Sequence, residues 1–301
     1  MKIRGAPALG IAAGYGVYLG VKNSKKDTFF RDLERSIRYL AGARPTARNT
    51  FWALERMKKT AIEYKNKSII IIKNMLLKEA HKIYEEDRSI CRRIARYGSS
   101  LIKKGDRILT HCNTGALATA DYGTALGIFY RAKSERKKIK VYIDETRPLL
   151  QGARLTAWEL LREGIDAILI CDNMAASLMA KGEIDKIIVG ADRITKNGDV
   201  ANKIGTYNLA VLAYHHRIPF YVASPVSTID MGIFHGKEIP IEERDEDEVK
   251  RIANVYITPK KIKVYNPAFD VTPNRYITAI ITEKGILKKP YKDSIRKVIK
   301  E

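Results

Sequence analysis

Ile108-Leu-Thr-His-Cys-Asn-Thr-Gly115 and Ile187-Ile-Val-Gly-Ala-Asp-Arg193 decide how this chain is read. Each is an apolar run that stops on polar, reactive groups, the first at Cys112 and the second at Asp192. Such runs read as buried strands of a parallel sheet. In an open α/β sheet, ligands sit beyond the carboxyl ends of the strands. A thiol and a carboxylate at two such ends predict a site with a proton-transferring pair.

The same texture continues on both sides of these runs. Apolar, β-branched stretches fall at 107–111, 139–144, 167–171, 186–190, 220–223 and 277–282. Helical patterns separate most of them, at 115–130, 151–163, 174–181 and 204–216. Repeated strand–helix alternation predicts an α/β fold with a mostly parallel sheet covered on both faces. Residues 1–103 differ. They are Gly/Ala-rich at 4–18, then amphipathic at 30–40, 50–64 and 69–96, which predicts a smaller, mostly helical N-terminal domain before a sheet domain at 104–301. Pro45 separates two of these helices, and Thr46 or Asn49 is expected to cap the second. Gly10, Gly14 and Gly16 read as close helix packing. The acidic run 242–248 and the basic run 259–263 read as a solvated excursion before the last strand.

The totals exclude several classes. No apolar run reaches the roughly 18 residues of a membrane helix, and no signal peptide is read at the start. Three widely spaced cysteines, Cys91, Cys112 and Cys171, give no disulfide framework and point to a reducing cytoplasm. The net charge of +21 suits nucleic acid or phosphorylated ligands. The basic residues are spread along the chain without a zinc-finger or RNP motif, so nucleic acid is not expected as the main partner. No Gly-x-Gly-x-x-Gly follows a strand and no Walker A motif is present, so no NAD or ATP cofactor is expected. The five histidines lack ligand spacing, so no metal is expected.

Individual residues then carry chemistry. Cys112 reads either as a small buried hydrophobe or as a thiol at a helix N-terminus, where backbone N–H groups favour the thiolate. Cys91, in mid-helix, reads as inert. Asp192, desolvated at a strand end, suits acid–base work, with Arg193 as an offsetting neighbour. Asn202 and Lys203 are expected at a helix start, as an anion site or an ordinary cap. Gln151 lies near another helix start. Arg147 or Arg154 can bind phosphate or pair with Glu145. Arg4 and Arg44, flanked by restricted backbone, can clamp phosphate.

Together the segments resemble a known family. They are Arg4-Gly-Ala-Pro-Ala-Leu-Gly-Ile-Ala-Ala13, Arg44-Pro-Thr46, Thr110-His-Cys-Asn-Thr-Gly-Ala-Leu-Ala-Thr119, the run from Glu145 to Trp158, Asp172-Asn-Met-Ala-Ala176, Gly190-Ala-Asp-Arg-Ile194, the run from Asn197 to Tyr207, and Asn266-Pro-Ala-Phe-Asp-Val-Thr-Pro273. In this order they resemble the methylthioribose-1-phosphate isomerases, relatives of the initiation factor 2B α, β and δ subunits. Members usually carry several tens of residues before Arg-Gly-Ala-Pro, which here begins at Arg4. The resemblance implies a helical domain plus a Rossmann-like domain, usually as a homodimer, without a cofactor. It implies Cys112 and Asp192 as catalytic residues. It implies Arg4, Gly5, Ala6, Arg44, Gln151, Asn202 and Lys203 as substrate-binding residues. The implied reaction converts 5-methylthioribose 1-phosphate to 5-methylthioribulose 1-phosphate in methionine salvage. Two alternatives stand beside it. One is a related isomerase acting on 5-deoxyribose 1-phosphate or ribose 1,5-bisphosphate. The other is a non-enzymatic, initiation-factor-2B-like regulatory subunit.

Overall fold

A computed structural model describes residues 3–300; residues 1, 2 and 301, the outer ends of the two expected domains, lie outside it. Four helices come first: α1 (Ala6–Val21), α2 (Phe29–Ala41), α3 (Arg48–Glu63) and α4 (Ile69–Ser99). Strand–helix alternation follows, with β1 (Arg107–Thr110), α5 (Ala125–Ser134), β2 (Lys140–Asp144), α6 (Ala157–Arg162), β3 (Asp166–Ile170), α7 (Ala175–Ala180) and β4 (Lys186–Val189). Two short strands, β5 (Arg193–Thr195) and β6 (Val200–Lys203), precede α8 (Thr206–His215), β7 (Phe220–Ala223) and β8 (Ile229–Asp230). A single turn, α9 (Asp247–Lys250), leads into the hairpin β9 (Arg251–Ile252) and β10 (Val255–Tyr256), then β11 (Phe269–Thr272). The chain closes with β12 (Ala279–Thr282), β13 (Gly285–Leu287) and α10 (Tyr291–Lys300).

All six expected strands form, and all lie in one seven-stranded sheet of order β13-β12-β7-β4-β1-β2-β3. Every pairing in it is parallel except β12 with the edge strand β13. Counting only its parallel strands, the order is 3-2-1-4-5-6, so the direction of winding reverses between β1 and β4. A crevice opens at such a reversal. Cys112 follows β1 and Asp192 follows β4, so the two strand ends singled out in the sequence flank it. A second sheet, β11-β6-β5-β8, stands at this end of the first.

Successive strand residues point to opposite faces, which splits the core in two. Leu109, Ile187, Val189, Phe220 and Val222 pack under α7, α8 and α10 on one face. Ile108, Val141, Ile143 and Ile188 pack under α4, α5 and α6 on the other. A third cluster, with Val17, Phe29, Leu33, Met57, Leu76 and Ile83, fills the helical region. The 31-residue α4 joins the two regions. Its first half serves the helical cluster, and Ile94 in its second half serves the sheet.

Three local expectations fail. The segment 115–130 is not one helix: a 3-10 turn at Ala116–Ala118 is followed by irregular chain, and α5 starts at Ala125. Carboxylates claim two of the backbone N–H groups, Glu159 taking Ala116 and Asp87 taking Ala120. Gly123 adds a φ of 84°, which no right-handed helix permits. Neither Thr46 nor Asn49 caps α3, whose N-cap is Ala47. The Thr46 hydroxyl donates to the Pro240 carbonyl, and Asn49 bonds Ser227 and Thr228. The run 242–248 is not wholly solvated, because Glu242 is buried against Arg44.

Leu76 is fully buried in the helical cluster. Replacing it with Ala should cost about 2–5 kcal/mol, measured by urea unfolding. A loss under about 0.5 kcal/mol would contradict the packing described.

Candidate active site

Cys112 leaves β1 in a conformation rare for a residue with a side chain, at φ +62°. Its N–H donates to the Thr146 hydroxyl at 2.8 Å, and its carbonyl accepts from the Thr156 hydroxyl at 2.6 Å. Both threonines come from the loop and helix after β2, so tertiary contacts impose the turn. Strain of this kind clusters at functional sites. The expected placement of the thiol at a helix N-terminus is corrected, since α5 begins thirteen residues later. The charge beside the thiol is Arg4, whose Nη2 lies 3.7 Å from Sγ.

Arg4 reaches the sheet from the segment before α1. Its Nη1 donates to Asn113 Oδ1 at 2.6 Å, and Nη2 to the Asn113 carbonyl at 2.7 Å. Asn113 is itself fixed, its Nδ2 donating to Glu159 Oε1 and Thr156 Oγ1. Glu159 Oε2 also accepts from Ala116 N–H and the Tyr130 hydroxyl. Gly5 follows at φ +87°, and a Cβ there would stand 2.5 Å from the Ala118 carbonyl oxygen. Only glycine lets the α1 N-terminus close on the Cys112 loop.

Asp192 is pinned through its backbone. Its N–H donates to the Ala201 carbonyl on β6, and its carbonyl accepts from Arg48 N–H on α3. The carboxylate has no hydrogen-bond donor among the described residues. Burial pushes its pKa up, while Lys203, Arg44 and Arg4 pull it down. Arg193 is not the offsetting neighbour, because it turns away to Asp230 and the Pro45 carbonyl.

Asn202 and Lys203 lie on β6, not at the start of a helix. The N-terminus of α8 is already occupied: Gly205 and Tyr207 N–H donate to the Asp270 carboxylate at 2.7 and 3.0 Å. The anion site expected there is filled by the protein's own acid. Lys203 Nζ donates to the Ala268 carbonyl and lies over the Phe269 ring. Burial lowers its pKa, opposed by Cys112 and Asp192. Arg44 pairs with Glu242 at 3.1 Å and also faces Phe269. Among the described residues the Arg147 and Arg154 guanidinium groups pair with no carboxylate; that of Arg147 donates to the Pro148 and Val249 carbonyls, and that of Arg154 to the Leu149 carbonyl. Cys91 is buried inside α4, with its pKa pushed up by that burial.

One cavity of about 30 Å³ is lined by Arg4, Gly5, Ala6, Cys112, Asp192 and Asn202 among others. It brings together six of the nine expected site residues. Lys203 and Arg44 act on its Asp192 carboxylate from β6 and from the segment before α3. Gln151 stands in an adjoining groove of about 350 Å³ with Arg4, Leu117, Leu149, Leu155 and Glu248. Gln151 is buried, and its Oε1 lacks a partner among the described residues. The inner cavity has the size of a water, whereas the groove has that of a small ligand. Arg4 lines both. Sequence reading missed Thr146, Thr156, Glu159 and Glu242, which act through contacts distant in the chain.

Residues 2–289 match the initiation factor 2 subunit family, and the chain belongs to it. It is 55% identical to a methylthioribose-1-phosphate isomerase of Carboxydothermus hydrogenoformans, over 99% of this chain and 87% of that one. It is 54% identical to a 5-deoxyribose 1-phosphate isomerase of Moorella thermoacetica, over 99% of this chain and 86% of the other. The crystal structure of 5-methylthioribose 1-phosphate isomerase from Pyrococcus horikoshii superposes with a TM-score of 0.87 at 47% identity, covering all of this chain and 85% of that one.

Gly5→Ala tests the closure of α1 on the Cys112 loop. The backbone strain alone should cost about 1–3 kcal/mol, read by chemical denaturation. Unchanged stability would contradict the close approach.

Proposed function

We propose that this member of the initiation factor 2 subunit family is an aldose–ketose isomerase that converts 5-methylthioribose 1-phosphate to 5-methylthioribulose 1-phosphate in methionine salvage. One observation carries the reading: Cys112 and Asp192, from the two strands that flank the winding reversal, line one cavity with Arg4. The names and near-complete coverage of the relatives support it.

The chemistry fits those two groups. The C1 phosphate blocks simple ring opening, so the furanose must first be opened. A carboxyl group whose pKa is raised by burial can hold the necessary proton, and Asp192 is such a group. Asp192 protonates the ring oxygen as its bond to C1 breaks. Hydrogen then passes with its bonding electron pair, as hydride, from C2 to the electron-deficient C1 on the side of Cys112. The C2 hydroxyl becomes the ketone, and its proton restores the acid. Hydrogen moves only within the substrate, so the balance calls for no separate oxidant or reductant. In this reading Arg4, Gly5, Ala6, Arg44, Gln151, Asn202 and Lys203 bind the substrate, with the cations serving its phosphate. Residues 1–103 form the helical domain that covers the Rossmann-like domain 104–301.

Leu117, Leu149 and Leu155 line the groove together with Arg4, Arg154 and Glu248, and their apolar surface suits an apolar 5-substituent better than a second phosphate. A methylthio group and a plain methyl group both meet these conditions. 5-Deoxyribose 1-phosphate is therefore a second substrate of the same site. We read the protein further as a cytoplasmic homodimer. Its edge strand β3 leaves Ile168 and Leu169 exposed for a second copy. Among the described residues no helix is long and apolar enough to cross a membrane.

The test compares kcat/KM on 5-methylthioribose 1-phosphate, 5-deoxyribose 1-phosphate and ribose 1,5-bisphosphate. The first two should be turned over, with the bisphosphate at least about tenfold worse. Cys112→Ser and Asp192→Asn should each lower kcat about 10²–10⁴-fold. A preference for the bisphosphate would overturn the substrate assignment. Near-wild-type kcat in both variants would remove the pair from the mechanism. Absent isomerisation with specific binding to initiation factor 2 would favour a regulatory subunit.

A further inference from the structure

Next to Cys112, the reaction as proposed leaves a buried ionisable pair unused. His111 and Asp144 have side chains only 1% exposed, with Nδ1 of the ring 2.8 Å from Asp144 Oδ2. On the other side, Nε2 lies 2.8 Å from the Ile204 carbonyl oxygen. A carbonyl only accepts, so Nε2 carries a hydrogen. Nδ1 faces a carboxylate, so a second proton lies between ring and acid. The geometry thus suits an imidazolium held at both ends.

Its surroundings agree. Asp172, after β3, and Asp144 each bring one carboxylate oxygen within 4.8 Å of a ring nitrogen and of each other. The charges acting on His111 are those of Asp144 on β2, Asp172, Cys112 beside it, and Asp270 on β11. All four are acids. Burial drives the ring towards neutrality, but the hydrogen bond and charge of Asp144, with Cys112 and Asp172, lift it to about 9. The trio has the composition of a metal site, but of its donor atoms only Asp144 Oδ1 is without a hydrogen-bond partner among the described residues. Both ring nitrogens are bonded, and the Asp172 oxygens accept from Thr146 and Arg147 N–H at 2.7 Å. Gly205 makes the clamp possible. At φ +102°, with a Cβ that would stand 2.9 Å from His111 Cε1, only glycine lets the chain after β6 lie on the ring.

The clamp also reaches the thiol. Thr146, two residues beyond Asp144, accepts the Cys112 N–H and donates to the Asp144 carbonyl. One short segment therefore braces both the His111 ring and the Cys112 turn.

We propose that His111 is a positioning residue for the isomerisation: protonated on both nitrogens between Asp144 and Ile204, it is a fixed positive charge behind Cys112 that stabilises negative charge developing on the thiol or the substrate oxygens. This rests on the reaction proposed above. The ring stays charged well above the ordinary histidine range and loses that charge as pH rises through about 9. Without Asp144, burial acts with less opposition, so the charge should be lost about two or more pH units lower, at or below the ordinary histidine value.

The experiment is ¹⁵N spectroscopy of the histidine rings in the intact protein, with the His111 signals assigned by their absence in His111→Gln. Wild-type His111 should show two protonated nitrogens through pH 8. Asp144→Asn should show one at pH 7.5, keeping Nε2–H. In the same variant kcat should fall about 10- to 100-fold, with KM within about threefold, and the basic limb of the pH profile should move down by about two units or more. A singly protonated His111 in the wild type at pH 7 would overturn the proposal. So would an unchanged kcat profile in Asp144→Asn once the second proton is lost. The spectrum needs no substrate, which separates the two assignments. A doubly protonated ring in a protein inactive on all three sugars overturns the reaction and its role for His111, whereas a neutral ring in an active enzyme overturns this proposal alone.

Discussion

The grip of Arg4 on the loop after β1 is the contact on which the site depends. One guanidinium, carried by the segment before α1, holds the Asn113 side chain and carbonyl and lies beside the Cys112 sulfur. The grip closes the helical region over the sheet's carboxyl end. It also supplies one of the positive charges acting on the Asp192 carboxylate. Below it, Asn113 passes the constraint to Glu159, which fixes Ala116 and Tyr130 in turn. A partly buried charge is costly unless it is paired and hydrogen-bonded. Arg4 therefore helps specify a single geometry for the thiol's surroundings.

Electrostatics around the cavity follow a consistent plan. The backbone donors at the start of α8 are spent on Asp270, and those of the Cys112 loop on Thr146 and Glu159. Side-chain cations from three separate elements, Arg4, Arg44 and Lys203, remain around Asp192. Each is steadied by an internal acceptor, Asn113, Glu242 and the Ala268 carbonyl respectively. Positive charge is thus preorganised in a small, buried space, where it is worth more than in water.

Much of this was legible in the sequence. The six strands were readable because β-branched runs between helical patterns leave few alternatives, and their ends at Cys112 and Asp192 stood out as polar breaks. The helix misread across Gly115–Tyr130 shows the limit. Its residues favour a helix locally, yet Asp87 and Glu159, far away in the chain, capture its amides. Asn202 and Lys203 looked like a helix start because α8 begins only three residues later, but antiparallel pairing with Phe269 and Asp270 keeps them in a strand. Glu242 sat in an acidic run that suggested solvent, and only folding brings Arg44 to it. In each case a partner distant in sequence overrode a local preference.

The account stands on Cys112 and Asp192 acting on one bound sugar phosphate from either side. A crystal structure of the protein soaked with 5-methylthioribulose 1-phosphate tests this most directly. The sugar should lie between Cys112 Sγ and the Asp192 carboxylate, its phosphate within hydrogen-bond distance of at least one of Arg4, Arg44 and Lys203, and its methylthio group towards Leu117, Leu149 and Leu155. A sugar bound instead in the outer cleft lined by Arg251, Ile252 and Asn254, away from both groups, would contradict it.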